Sequence, residues 1–161
     1  MMHKPTTATG VPLPAPGEGK RGETGHIGYL LRQAGNAYHS HLARAFVDLG
    51  ITPPQFSVMT MIAAYPGLSN ADIARLALLT PQTVSVIIGN LVKAGIVARR
   101  PHAVHGRIRH LELTAKGQAL LATAKTRVQA VDDGIMAGVA PRSEHMLRKW
   151  LAGVAAKLSA A

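Results

Sequence analysis

The 161-residue chain has the length of one compact domain with a substantial core, which leaves little room for a second independent domain. Eighteen Lys and Arg against eight Asp and Glu give a formal charge of +10, so nucleic acid is the leading partner class, ahead of a protein that is merely basic. The lack of cysteine excludes a disulfide, a thiolate nucleophile and a thiol switch, and 47% apolar but only 4% aromatic residues point to a core of packed helices.

Residues 1–22 are rich in Pro and Gly and cannot bury enough surface to offset their ordering entropy, so a flexible arm is expected over residues 1–24. No apolar run approaches the ~18–20 residues that span a bilayer and no secretory signal opens the chain, which implies a cytoplasmic protein without a membrane partner. From about residue 25, Ile27, Leu30, Leu31, Ala34, Tyr38 and Leu42 return at helical intervals until Gly50 stops the helix. Thr52-Pro53-Pro54-Gln55 then supplies a capping Thr, a Pro at the first helical position and a Gln three residues past the cap. The helix it opens has an apolar face through Phe56, Met59, Ile62 and Ala63.

Ser69-Asn70-Ala71-Asp72 repeats the capping logic ahead of a short helix through Ile73 and Ala77. Thr80-Pro81 opens the next, with Val84, Ile87, Ile88, Leu91 and Val92 on its buried face and Gly95 past its end. Two short helices about a tight turn have the shape of a helix-turn-helix. Segments Ile96–Arg100 and His110–Thr114 pair as a hairpin whose basic connection projects into solvent as a wing. Thr114 caps a long helix, some 25 residues and about 37 Å at the helical rise, weakened near its end by Gly134 and Gly138. Pro141 opens a last helix carrying Met146, Leu147, Trp150, Val154 and Leu158. The terminal helices need a partner for their apolar faces, and a homodimer supplies one without another chain. The fold expected is mainly α with a small β-hairpin. A dimerisation helix occupies residues 25–50, a winged helix-turn-helix domain 51–114, and dimerisation helices 115–161.

On the helix that begins at Pro81, the face opposite the apolar stripe carries Gln82, Ser85, Val86, Gly89, Asn90 and Lys93, with Thr83 near the first turn. A major groove admits a slim helix and is read by such donors and acceptors and by apolar contacts to thymine methyls, although a merely solvated face has the same composition. Between Ser69 and Lys116 there are seven Lys and Arg but only two acids, Asp72 and Glu112. Arg107 and Arg109 are placed to enter a minor groove, and of Arg99 and Arg100, which alternate across a strand, at most one faces phosphate. The expected DNA contacts are Ser69, Thr80, Gln82, Thr83, Ser85, Asn90, Lys93, Arg100, His105, Arg107 and Arg109.

The stretch ITPPQFSVMTMIAAYPGLSNADIARLALLTPQTVSVIIGNLVKAGIVARR, followed by HGRIRHLELTAKGQALL, resembles the core of the MarR family of transcriptional regulators over residues 51–121. The resemblance implies a homodimer with interlocked terminal helices, two winged domains on a pseudo-palindromic operator, and repression relieved by phenolic or other aromatic compounds. The family wing usually carries an Asp two residues before its Arg; here His105 stands in that place and Arg107 is kept. A protonated His105 contacts phosphate on one reading and belongs to a local turn variant on the other.

Ligands in that family lodge where the dimer helices meet the winged domain. Arg32 and His39, seven residues apart on one side of the first helix, with Tyr29 and Tyr38 nearby and Phe56 and Met59 on the next helix, would suit a small aromatic carboxylate or its thioester. The alternative is that Tyr38, Phe56 and Met59 fill the core and Arg32 is solvated. No cofactor or metal is expected: His39 and His41 diverge on a helix, and His102, His105 and His110 fall on the wing. Scattered acids and the absence of cysteine leave no catalytic constellation, so the chain is read as a sequence-specific regulator, with a nonspecific architectural DNA-binding protein as the alternative.

Overall fold

A computed structural model describes residue 10, residues 13–101 and residues 109–159, giving backbone alone at residues 101, 109 and 159. The chain divides into two compact units, one up to Pro53 and one from Pro54 onward.

In the first unit helix α1 runs over Ile27–Ala45, and the turn Val47–Leu49 that follows tightens to a 3-10 helix. It closes on Gly50 at φ +65°, a left-handed conformation that glycine adopts without steric cost. Leu42, Phe46 and Ile51 are buried. Ahead of α1 the expected arm is hydrogen-bonded from residue 14 onward, because one arginine ties it to the helix. Arg21 Nε donates to Gln33 Oε1, Gln33 Nε2 donates back to the Arg21 carbonyl, and Arg21 Nη1 donates to the Pro14 carbonyl. Residues 1–9, 11 and 12 of that arm lie outside the described residues.

The second unit takes up α2 (Pro53–Ala64), α3 (Asn70–Ala77), α4 (Pro81–Lys93), the antiparallel strands β1 (Val97–Pro101) and β2 (Arg109–Leu113), α5 (Ala115–Met136) and α6 (Pro141–Ser159). One hydrophobic cluster joins it: Val58, Met59 and Ile62 from α2, Ile73 and Ala74 from α3, the α4 stripe, both strands, and Leu121 from α5. The stripe on α2 is rotated from its expected line, since Val58 is buried while Ala63 is exposed. On α4 the expected Val84, Ile87, Ile88 and Leu91 are all buried.

Caps explain the element boundaries. The Ser69 hydroxyl accepts from the Asp72 amide while the Asp72 carboxylate accepts from the Ser69 amide, a reciprocal capping box. Thr80 accepts from the Thr83 amide with Pro81 at the first turn, and Thr114 accepts from the Gly117 amide. Helices α3 and α4 meet at a bend of 106°, within the range of a helix-turn-helix. The turn between them holds Leu78 at φ 56°, ψ 42°, with 91% of its surface exposed. Helix α5 passes through Gly134, stops at Met136, and gives way to Gly138 at φ +80°, so it is slightly shorter than expected. No described residue of α6 is buried, and Met146, Leu147, Trp150 and Leu151 stay exposed along it.

Candidate nucleic-acid interface

Helix α4 is anchored by its apolar stripe, and that anchorage turns Gln82, Thr83, Ser85, Val86, Asn90 and Lys93 to solvent. Five of these were expected as DNA contacts, and the fold brings them onto one face. Ser85 is not isolated there: its hydroxyl lies 3.4 Å from Asn70 Nδ2, which joins the start of α3 to the outer side of α4.

Ser69 and Thr80, also in the expected set, have their hydroxyls engaged as helix caps. Both position α3 and α4: the Ser69 hydroxyl also donates to the Asp72 carboxylate, and the Thr80 hydroxyl shares a hydrogen bond with that of Thr83. The hydrogen bond from the Ser69 hydroxyl holds the Asp72 carboxyl below the usual carboxylate range; desolvation opposes it, and the Ser69 amide and the Arg75 guanidinium add to the lowering.

The C-terminal end of α4 is spliced to the start of α5. Lys116 Nζ donates to the Ala94 carbonyl at 2.9 Å, the Thr114 hydroxyl donates to the Gly95 carbonyl at 2.7 Å, and the Thr114 amide donates to the Ile96 carbonyl at 3.0 Å. An ammonium at that place satisfies a helix-terminal carbonyl and opposes the negative end of the α4 dipole. Sequence reading assigned no such role to Lys116. The available signal was its position two residues past a Thr cap, which does not reveal the distant carbonyl it meets.

On the hairpin, Arg99 lies opposite Leu111 and Arg100 opposite His110, so the two arginines point to opposite faces, as their alternation required. Arg100 was expected on phosphate; it is ion-paired with Glu112 across the strands. His110 Nε2 stands 4.0 Å from the other oxygen of Glu112. His105 and Arg107 lie outside the described residues, as does the side chain of Arg109.

Of the residues expected at a ligand, the Arg32 guanidinium lies 5.8 Å from the Tyr29 ring centroid, a cation–π arrangement. Both line an open groove of about 790 Å³ between residues 16–21 and α1, with Arg21, Gln33 and Asn36. Tyr38 is half-buried and His39 exposed. Met59 is wholly buried in the core of the second unit and Phe56 packs against that core, so Met59 presents no surface to a ligand. Among the described residues no three His, Cys, Asp or Glu side chains gather as a metal site.

The MarR family profile matches residues 49–108. The HTH-type transcriptional repressor Rv2887 of Mycobacterium tuberculosis is 34% identical over 125 residues, covering 78% of this chain and 90% of the relative. The chain belongs to the MarR family. Its fold agrees with solved structures of Rv2887: the complex with DNA superposes with a TM-score of 0.65 at 32% identity over 80% of this chain and 97% of that one. The complex with salicylic acid gives 0.69 at 32% identity over 82% and 98%. As a MarR-family transcriptional regulator rather than an enzyme, the protein has α3 and α4 as its helix-turn-helix and the β1–β2 hairpin as its wing. Among the described residues no single helix is long and apolar enough to cross a membrane, and α3 and α4 pass that test only as a sharply bent pair.

Proposed function

We propose that this MarR-family regulator is a homodimeric repressor that binds a pseudo-palindromic operator in the cytoplasm and leaves it when a small aromatic carboxylate binds. The observation that carries the DNA reading is the outward face of α4, where Gln82, Thr83, Ser85, Asn90 and Lys93 stand exposed behind a capped N-terminus. Such a face is slim enough for a major groove and carries the amides and hydroxyls that bond base edges. The Rv2887 complex with DNA supports it. Arg107 and Arg109 of the wing extend the contact to an adjacent minor groove, where narrow A·T tracts attract guanidinium groups. The exposed apolar side chains of α6 supply the surface by which two copies pair, so that two α4 helices reach successive grooves.

For the ligand, Tyr29 and Arg32 on α1 offer an aromatic face and a cation beside the groove they line, with Tyr38 and His39 of the same helix as further proposed contacts. The Rv2887 complexes with salicylic acid and p-aminosalicylic acid support an aromatic acid as the chemical class. The ligand acts by favouring a spacing of the recognition helices that mismatches the grooves.

Binding of the full chain to genomic fragments upstream of its own coding region, against random duplex, tests the first part. A gain of roughly 10³-fold or more is expected for a regulator, and equal affinity for both would instead indicate an architectural protein. Salicylic acid is then added. Release of the duplex, lost in Arg32→Ala, is expected, and release that is unchanged in Arg32→Ala would reject the assignment to α1.

A further inference from the structure

Helical geometry places Gln82, Val86, Gly89 and Lys93 along one line of α4, diametrically opposite Val84, Ile87, Ile88 and Leu91. This line is the crest of the helix, the part farthest from its own core. Two of its four residues are out of character for a solvated helix. Val86 is 64% exposed. Gly89 stands in the helix interior without a positive φ, and a Cβ added there meets nothing within 4 Å.

Neither residue is explained inside the chain. Interior glycine is among the least favourable helix residues, and β-branched valine is stiffer and poorer than alanine. Packing does not compensate, since the Val86 side chain points to solvent and the space over Gly89 is open. The backbone does not need glycine, because its conformation there is ordinary helix. Their combined effect is a shallow apolar notch, a valine wall beside bare backbone, flanked by the polar Gln82, Ser85 and Asn90.

We propose that this notch reads the 5-methyl group of a thymine in the major groove, which makes Val86 and Gly89 determinants of sequence specificity. The inference rests on the reading of α4 as the groove-entering helix. Valine has no donor or acceptor, so it cannot recognise phosphate or a polar base edge. The thymine methyl is the apolar feature that the major-groove edge of an unmodified base pair presents. The missing side chain at residue 89 lets the helix backbone approach closely enough for the valine methyls to reach it. Gln82 and Asn90, on either side, then bond the polar edges of neighbouring pairs.

The experiment uses duplexes that the full-length protein selects from a random-sequence library. Each thymine in a selected site is replaced singly by deoxyuridine, which removes the 5-methyl and leaves every polar atom in place. Wild type is expected to lose about fourfold in affinity at one position of the recognition sequence, the worth of roughly one buried methyl. Val86→Ala is expected to bind the thymine and uracil duplexes alike at that position. Gly89→Ala is expected to raise Tm, as an alanine in a helix should, while binding the selected duplex about tenfold more weakly because its methyl fills the notch. Equal uracil sensitivity in wild type and Val86→Ala, or unchanged DNA binding in Gly89→Ala, would overturn the proposal while leaving the regulator reading intact. If no selected duplex binds more tightly than random DNA, the reading of α4 itself fails and this one with it.

Discussion

Gly117 sits where the first turn of α5 packs on Ile96, the residue just before β1. A Cβ there would fall inside contact distance of the Ile96 carbonyl oxygen, a backbone atom that no rotamer change can move aside. Helix propensity favours Gly117→Ala by about 1 kcal/mol, but overpacking against fixed backbone costs about 1–3 kcal/mol, so net destabilisation is expected. Urea unfolding checks it, and an unchanged midpoint would mean that α5 can shift away from the Ile96 carbonyl at little cost. Leu78 presents the reverse case. Its left-handed conformation strains a side chain that is 91% exposed and packs little, so Leu78→Gly is expected to stabilise the fold by about 1 kcal/mol in the same assay. The capping box adds a pH dependence. Because Asp72 titrates below the usual carboxylate range in the folded protein, its contribution is present at neutral pH and is lost as pH falls through that lowered value. The stability gap between wild type and Asp72→Asn should therefore close in acid; a gap that is constant with pH would show that the carboxylate charge is irrelevant to the cap.

The hairpin and the α4–α5 junction determine how the recognition helix is presented. Thr114 caps α5 and bonds the carbonyls of residues 95 and 96, while Lys116 holds that of residue 94, so a shift of α5 must carry the end of α4 with it. On β1 and β2, Glu112 faces both Arg100 and His110. That pair is exposed, and exposed pairs contribute about 0–1 kcal/mol, so its loss is expected to leave the fold nearly as stable. Its consequence for DNA is larger. Glu112→Gln removes a negative charge and releases Arg100 for phosphate, which should strengthen binding to random duplex and steepen the slope of log K against log salt by about one per protomer. An unaltered slope would place Arg100 away from the duplex.

As one molecule, the chain leaves the apolar side chains of its last helix uncovered. Trp150 and Leu151 on α6 are 44% and 50% exposed, and their burial against a second copy is the proposed route to a dimer. The double variant Trp150→Glu, Leu151→Glu is expected to sediment as a monomer with its winged unit still folded. Loss of bivalent attachment should lower operator affinity by about a hundredfold or more. A variant that remains dimeric would exclude α6 as the pairing surface. The charge of +10 predicts attraction to any duplex, whereas the shape of α4 is what would discriminate among duplexes.

Much of this architecture was legible in the sequence because its signals are local. Ser69, Thr80 and Thr114 cap the helices that follow them, the 3.6-residue recurrence from Val84 to Leu91 marks the buried side of α4, and Gly50 ends the first helical segment. A cap or a stripe is complete within about one to three turns of chain, so neighbouring residues suffice to specify it. Periodicity also gave α4 its outward polar set by subtraction. For Met59 the apolar face of α2 left two readings open, ligand wall and core, and the fold selected the core. Tertiary structure alone decided the fates of Arg100, which is taken by Glu112, of Lys116, which reaches back to Ala94, and of Arg21, which fastens the preceding segment to α1. Each of these depends on a partner distant in the chain, and the pattern of side chains along one element carries no record of which carbonyl or carboxylate folding will bring beside it.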